Sequence, residues 1–298
     1  MLPIRRLERI YTALLTDGVR GRIEKIILSI AIISFIAHLA IIYLVSFEVV
    51  DFTSKSDLLN NPIAAIYTPF SFILLYEVYL LIFYLPRSFT TYIGKQYEII
   101  TLIIIRRIFK DLSNLDLQGD WFRVKYDLQF TYDLITAIVI FALLFVFYKQ
   151  SKTEQAPRIE PEGGSNALRK FVRIKKRIAL LLMPIFIVLS IYSFTAWAMG
   201  VFQPTDSYTS SFNNINNIFF EQFFNVLIFA DVLVLLFSFF ITDEFYKVIR
   251  NSGFIISTIL IRISFSTTGL TNNVLIISAI VFGLLVLFIH NKFRTIAT

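Results

Sequence analysis

The sequence predicts an all-α polytopic membrane protein with eight transmembrane helices, arranged as two parallel four-helix bundles. Three observations carry that prediction. The 298 residues are 56% hydrophobic and only 16% charged, and the mean hydropathy of +0.71 lies outside the range of soluble domains. Eight segments approach the roughly 20 apolar residues that a bilayer core demands. The second half of the chain nearly repeats the first.

The eight segments are 24–47, 66–86, 93–112, 128–148, 177–201, 218–241, 249–266 and 272–290. The third and seventh are the shortest, and each carries arginine near its end. The first begins behind a basic stretch with no small-residue cleavage site after it, so it reads as a retained helix and not a signal peptide. Before it, Ile4, Leu7, Ile10, Tyr11 and Leu14 recur at helical spacing with Arg5, Arg6 and Arg9 between them. That pattern predicts an amphipathic helix on the cytoplasmic surface within residues 1–23. The loop 113–127, with Trp121 and Phe122 among charges, suits an interfacial belt.

A polar stretch rich in Pro and Gly, Ser151 to Ser165, reads as a flexible linker. It places the domain boundaries at a first membrane unit 24–148, a cytoplasmic linker 149–176 and a second membrane unit 177–298. Four helices per unit is an even number, so both units share one orientation. The repeat is therefore parallel, unlike the inverted repeats of many transporters.

Orientation follows from the basic residues. With the N-terminus inside, the inner regions hold 21 Lys and Arg and the outer regions hold 4. Both termini are thus expected in the cytoplasm of a multi-pass cell-membrane protein. The same bias accounts for the net charge of +7 without nucleic acid. The run containing Arg169, Lys170, Arg173, Lys175, Lys176 and Arg177 is a juxtamembrane stop and a candidate contact for anionic lipid headgroups.

Ionisable groups inside the apolar segments are the candidate site. An ionisable side chain at the centre of a span costs ~2.5–3.5 kcal/mol on insertion scales, so each demands a reason. The first unit holds Glu77, Arg106, Arg107 and Asp133. The second holds Asp231 and Arg262, with Asn273 where Asp133 would stand. Three acids and three bases sum to zero, which predicts pairing. By depth, Asp133 is best matched to Arg106 or Arg107, Glu77 lies deeper, and Asp231 is the acid left for Arg262.

The order of parts in each unit resembles the PsiE-like (phosphate-starvation-inducible E) family of small four-helix membrane proteins, as a tandem duplication. The matching residues are Leu75-Tyr76-Glu77-Val78-Tyr79, the run Ile103-Ile104-Ile105-Arg106-Arg107-Ile108, and Tyr132-Asp133-Leu134-Ile135. The second unit departs from the pattern at Asp231 and Asn273. The resemblance implies a four-helix bundle with an interior polar cluster, and it implies no reaction.

Enzymatic chemistry has no residues to stand on. The chain has no cysteine, hence no disulfide, thiol nucleophile or iron–sulfur ligand. Its two histidines, His38 and His290, differ by about 20 Å in expected depth at 1.5 Å per residue and cannot share a haem. His38 reads as a hydrogen-bonded core residue. No phosphate loop, nucleophile elbow or zinc-protease motif occurs. No cofactor and no metal are expected. Two functions remain: a non-catalytic scaffold, accessory subunit or sensor held by buried ion pairs, with lipid and protein or self-association as partners, or an ion or proton channel or transporter using the intramembrane charges. Adjacent Arg106 and Arg107 lack the three-residue period of a voltage sensor.

Overall fold

The computed structural model describes residues 4–47, 62–112, 125–154, 166–202, 208–240 and 245–296. Among these residues the chain forms α-helices, one 3-10 turn at Pro62–Ile66 and no strand. The helices are α1 (Ile4–Leu14), α2 (Asp17–Ser46), α3 (Tyr67–Tyr84), α4 (Phe89–Leu112), α5 (Lys125–Glu154), α6 (Asn166–Phe202), α7 (Tyr208–Phe239), α8 (Phe245–Ser264) and α9 (Leu270–Ile296). The expected surface helix is α1, and α2 to α9 cover the eight apolar segments. The linker expectation of 149–176 is trimmed at both ends, because α5 continues through Glu154 and α6 begins at Asn166. Residues 155–165 of the linker and most of the loop at 113–127, with Trp121 and Phe122, lie outside the described residues.

Among the described residues four helical stretches, not eight, are long and apolar enough to cross a bilayer: Arg9–Ser46, Asp127–Lys152, Gln222–Phe239 and Leu270–Ile296. The reason for the difference is charge and length. Helix α4 carries Lys95, Glu98, Arg106, Arg107, Lys110 and Asp111 along 24 residues. Helix α8 is 20 residues long with Lys247, Arg250 and Arg262 at its ends. The apolar part of α3, Thr68–Tyr84, falls short by length.

Local chemistry sets the breaks. Pro86 cannot extend α3, and the chain turns there with Arg87 N–H donating to Tyr84 O at 2.9 Å. Ser88 then caps α4, its Oγ accepting from Thr91 N–H at 3.2 Å. Between α8 and α9 the backbone reverses at Gly269, whose φ of 69° is a left-handed conformation that glycine adopts without strain.

The helices expose large apolar side chains outward and bury polar residues among an apolar core. On α5 the buried stripe reads Asp133, Thr136, Ile140, Leu144, Phe147 and Ser151 at three- and four-residue steps. The opposite face exposes Leu134, Ile135, Ile138, Phe141 and Phe145, with Phe141 70% exposed while Asp133 is fully buried. Helix α9 repeats the arrangement, burying Asn272, Asn273, His290 and Asn291 among aliphatic residues. Exposed apolar faces of this extent suit hydrocarbon as solvent.

The chain parts into two compact units that cut across the helices. One comprises Met1–Leu80, Arg106–Phe130 and Met183–Phe223, the other Leu81–Ile105, Thr131–Leu182 and Phe224–Thr298. Inside the first, His38 Nδ1 lies 2.6 Å from Thr68 Oγ1; the histidine is half-buried. Tyr76 donates to Glu24 at 2.8 Å and Tyr79 to Leu14 O at 3.0 Å, tying α3 to α2 and to the end of α1. Phe70 stacks on Phe109. Inside the second, Tyr97, Phe147 and Phe254 pack together, Phe147 lying 5.2 Å from one ring and 6.1 Å from the other by centroids.

Candidate functional site

In the second unit α4 is buried over most of its circumference up to Ile104. Tyr92, Gln96, Tyr97 and Thr101 are all buried. Tyr92 and Gln96 lie four residues apart, so they share a face one turn apart. Both point at Asp231 on α7. Tyr92 Oη donates to Asp231 Oδ1 at 2.8 Å, and Gln96 Nε2 donates to Oδ2 at 3.2 Å. Asp231 is 1% exposed, so both carboxylate oxygens are satisfied by neutral donors away from water. Such bonds to a carboxylate are the stronger kind of protein hydrogen bond.

Lys175 completes this cluster. It follows Phe171 and precedes Ala179 at four-residue steps on the buried stripe of α6, and it is 3% exposed. Its amine donates to Arg87 O and stands 4.9 Å from the Phe89 ring and 5.3 Å from the Phe171 ring. Burial pushes the amine down to about 7, while the Asp231 carboxylate pulls it back up. The headgroup expectation for the basic run is corrected at this one position. Arg169, Lys170, Arg173 and Arg177 are exposed and Lys176 is half-buried. Helical periodicity turns Lys175 inward, because the run crosses the stripe that begins at Phe171.

A second buried pair joins α5 to α9. Asn273 Nδ2 donates to Asp133 Oδ1 at 2.7 Å, and both residues are buried. The sequence marks these two as equivalent positions of the repeat, and they meet each other. Between the two pairs, Tyr97 Oη lies 2.7 Å from Ser257 Oγ on α8, which donates onward to Ala279 O on α9 at 2.6 Å. A Cβ on Gly283 would collide with the Tyr97 hydroxyl, so the absence of a side chain there is what lets Tyr97 reach Ser257.

The expected ionic pairing is partly redrawn. Asp231 is held by Tyr92 and Gln96 and not by Arg262. Arg262 sends Nε to Asn225 at 2.8 Å and Nη1 to Ser266 at 3.3 Å. Charge matching misled here because arginine can satisfy its donors on neutral amide and hydroxyl oxygens near a helix end. In the first unit Glu77 on α3 is buried. Arg106 and Arg107 are half-buried at the far end of α4.

Tyr92, Gln96, Tyr97 and Ser257 were not anticipated from the sequence. The signal was present but diluted: the polar side chains at positions 92, 96 and 97 stand beside Gly94 in a helix that also carries Thr90, Thr91, Lys95 and Glu98. Among the described residues no group of three or more His, Cys, Asp or Glu is placed to hold a metal ion. Comparison with known proteins gives no matching family model, no matching curated protein and no matching solved structure.

Proposed function

We propose that the chain is a non-catalytic integral membrane protein, a scaffold, accessory subunit or sensor, whose interior acids lock its helices in one register. The carrying observation is that Asp231 takes direct hydrogen bonds from Tyr92 and Gln96, with Asp133 held likewise by Asn273. A carboxylate engaged by fixed neutral donors specifies which helix faces meet, and it gives a reacting molecule no open coordination. Eight membrane passes with both termini cytoplasmic complete the reading, supported by the 21-to-4 division of basic residues. In it, α3, α4, α6 and α8 also traverse, sheltered by the more apolar helices. The exposed basic side chains of the 169–177 run rest against anionic headgroups. Descent from a duplicated PsiE-like bundle is part of the proposal, supported by Glu77, Arg106 and Asp133 in the first half.

One observation favours conduction instead. Tyr92, Gln96, Tyr97 and Thr101 follow one another along about 14 Å of α4 at 1.5 Å per residue, and such a succession could relay protons to and from Asp231. Flux assays separate the readings. Liposomes holding the purified protein should show no ion or proton flux under an imposed potential or pH gradient, with Glu77→Gln, Arg106→Gln and Asp231→Asn lowering thermal stability. Flux in the wild type that vanishes in folded variants would replace the scaffold by a channel or transporter.

A further inference from the structure

Helix α1 joins the first unit through a short, fixed elbow. It ends at Leu14 and α2 begins at Asp17, so only Leu15 and Thr16 stand between them. That tether holds the end of α1 within about 10 Å of the helix that carries the first candidate span. Leu15 is 2% exposed, which packs the elbow against the unit. Tyr79 Oη donates to Leu14 O at 3.0 Å, satisfying a carbonyl that the end of α1 leaves open. Tyr79 lies five residues, about 8 Å, before the end of α3 at Tyr84. Helix α1 therefore ends beside the last turns of α3. In the eight-pass reading that end of α3 is cytoplasmic, which puts α1 at the inner surface of the bilayer.

At about 100° per residue, α1 has three flanks. Tyr11, half-buried, and Leu15, buried, belong to the one against the protein. Ile10 and Leu14, four residues apart, share the second and are 43% and 38% exposed. Arg9 and Thr12, both exposed, mark the third, and by register Arg5 and Arg6 belong to it as well. The helix holds three arginines against one glutamate. Its own fold thus leaves apolar side chains open beside a basic flank. Acyl chains would cover Ile10 and Leu14, and phosphates would match the arginines. The tether decides between occupants: a helix held this close to a membrane span is already among headgroups, with no second macromolecule needed to cover it.

We propose that α1 is an in-plane anchor in the inner leaflet, with Ile10 and Leu14 among the acyl chains and its arginines on anionic phospholipid headgroups. The Leu14–Tyr79 bond and the buried Leu15 set its depth. The anchor is separate from the 169–177 run. It rests on the membrane reading above and is independent of the choice between a lock and a conduction path.

The chain has no cysteine, so single introduced cysteines can carry spin labels in the full-length protein, held in nanodiscs of phosphatidylglycerol and phosphatidylcholine mixed equally. Collision with oxygen, which concentrates in the bilayer, is compared with collision with a water-soluble nickel chelate. A label at Ile10→Cys should favour oxygen, and one at Thr12→Cys, on the basic flank, should favour nickel. Ile33→Cys, at a 67% exposed position of α2, is the control and should favour oxygen. In phosphatidylcholine alone the oxygen preference at position 10 should fall, because the arginines lose their anionic partners. Arg5→Gln with Arg6→Gln and Arg9→Gln should make the two discs alike. Nickel access at position 10 with oxygen preference at position 33 would overturn the anchor and leave the membrane reading standing. Shielding of position 10 from both reagents would overturn it in favour of a protein occupant, a second copy or another chain. A wild-type preference equal in both discs would overturn the assignment to anionic lipid. Nickel access at position 33 would overturn the membrane reading, and the anchor with it.

Discussion

Asp231 concentrates the energetics of the second unit in a few atoms. Its carboxylate is buried and held by Tyr92 and Gln96. Removing one donor leaves a buried oxygen without a partner, a loss of about 1–3 kcal/mol. Tyr92→Phe should therefore destabilise the protein by that amount in denaturant unfolding of the reconstituted chain, and Asp231→Leu should relieve part of the penalty in the Tyr92→Phe background. Lys175 gives a pH test. Its amine is held down to about 7 by burial, below its unfolded value of about 10.4. Between those values the unfolded chain binds the extra proton, so stability rises with pH from about 7 upward. Thermal unfolding at pH 7 and pH 9 should show that rise in the wild type, and Lys175→Met should flatten it. The polar residues of this cluster illustrate what the sequence could show. Asp231 stands out because charge in an apolar run is conspicuous, whereas its partners are neutral and recur in any membrane helix.

Helices α4, α8 and α9 meet through missing side chains as much as present ones. Gly283 makes room for the Tyr97 hydroxyl, and Gly253 lets Val286 approach. Small residues permit close helix contact, which in a bilayer supplies much of the association energy. Gly283→Ala should cost about 1–3 kcal/mol by overpacking. Tyr97→Phe, which removes the colliding oxygen, should recover part of that loss, a pattern that a general preference for glycine would not give. Helix positions and types were readable beforehand because hydrophobic runs of helical length leave few alternatives: α1 falls on its predicted stretch, and α2 to α9 fall on the eight segments. Among the described residues α3, α4 and α8 fall short of a span by length or charge, so eight passes require neighbouring helices to shelter them. A run with charges at its ends resembles a span in composition, and whether neighbours shelter it depends on packing that no window of sequence contains.

Within the second unit, segments from the two halves of the sequence are joined by hydrogen bonds between neutral amide or hydroxyl groups and buried acids. Tyr92 and Gln96 reach Asp231 across more than a hundred residues, and Asn273 reaches Asp133 in the same way. The sequence pointed to pairing inside each half because its arithmetic balanced there. It could not show that equivalent positions of the repeat would face each other, since that depends on how helices are arranged around one another. Topology is open to a direct check. The chain has no cysteine, so single cysteines can be introduced singly and labelled from either side. Positions 170 and 296 should react only with reagent on the cytoplasmic side, and reaction of either from outside would reverse the orientation. The central claim, that buried polar pairs bind the halves into one register, is tested most directly by a double-mutant cycle on Asp133→Ala and Asn273→Ala, read as unfolding free energy in bilayers. The account predicts a coupling of about 0.6–1.7 kcal/mol, the range measured for such pairs in membranes. Strictly additive losses would mean that the two side chains do not hold each other, and the register would have to come from apolar packing alone.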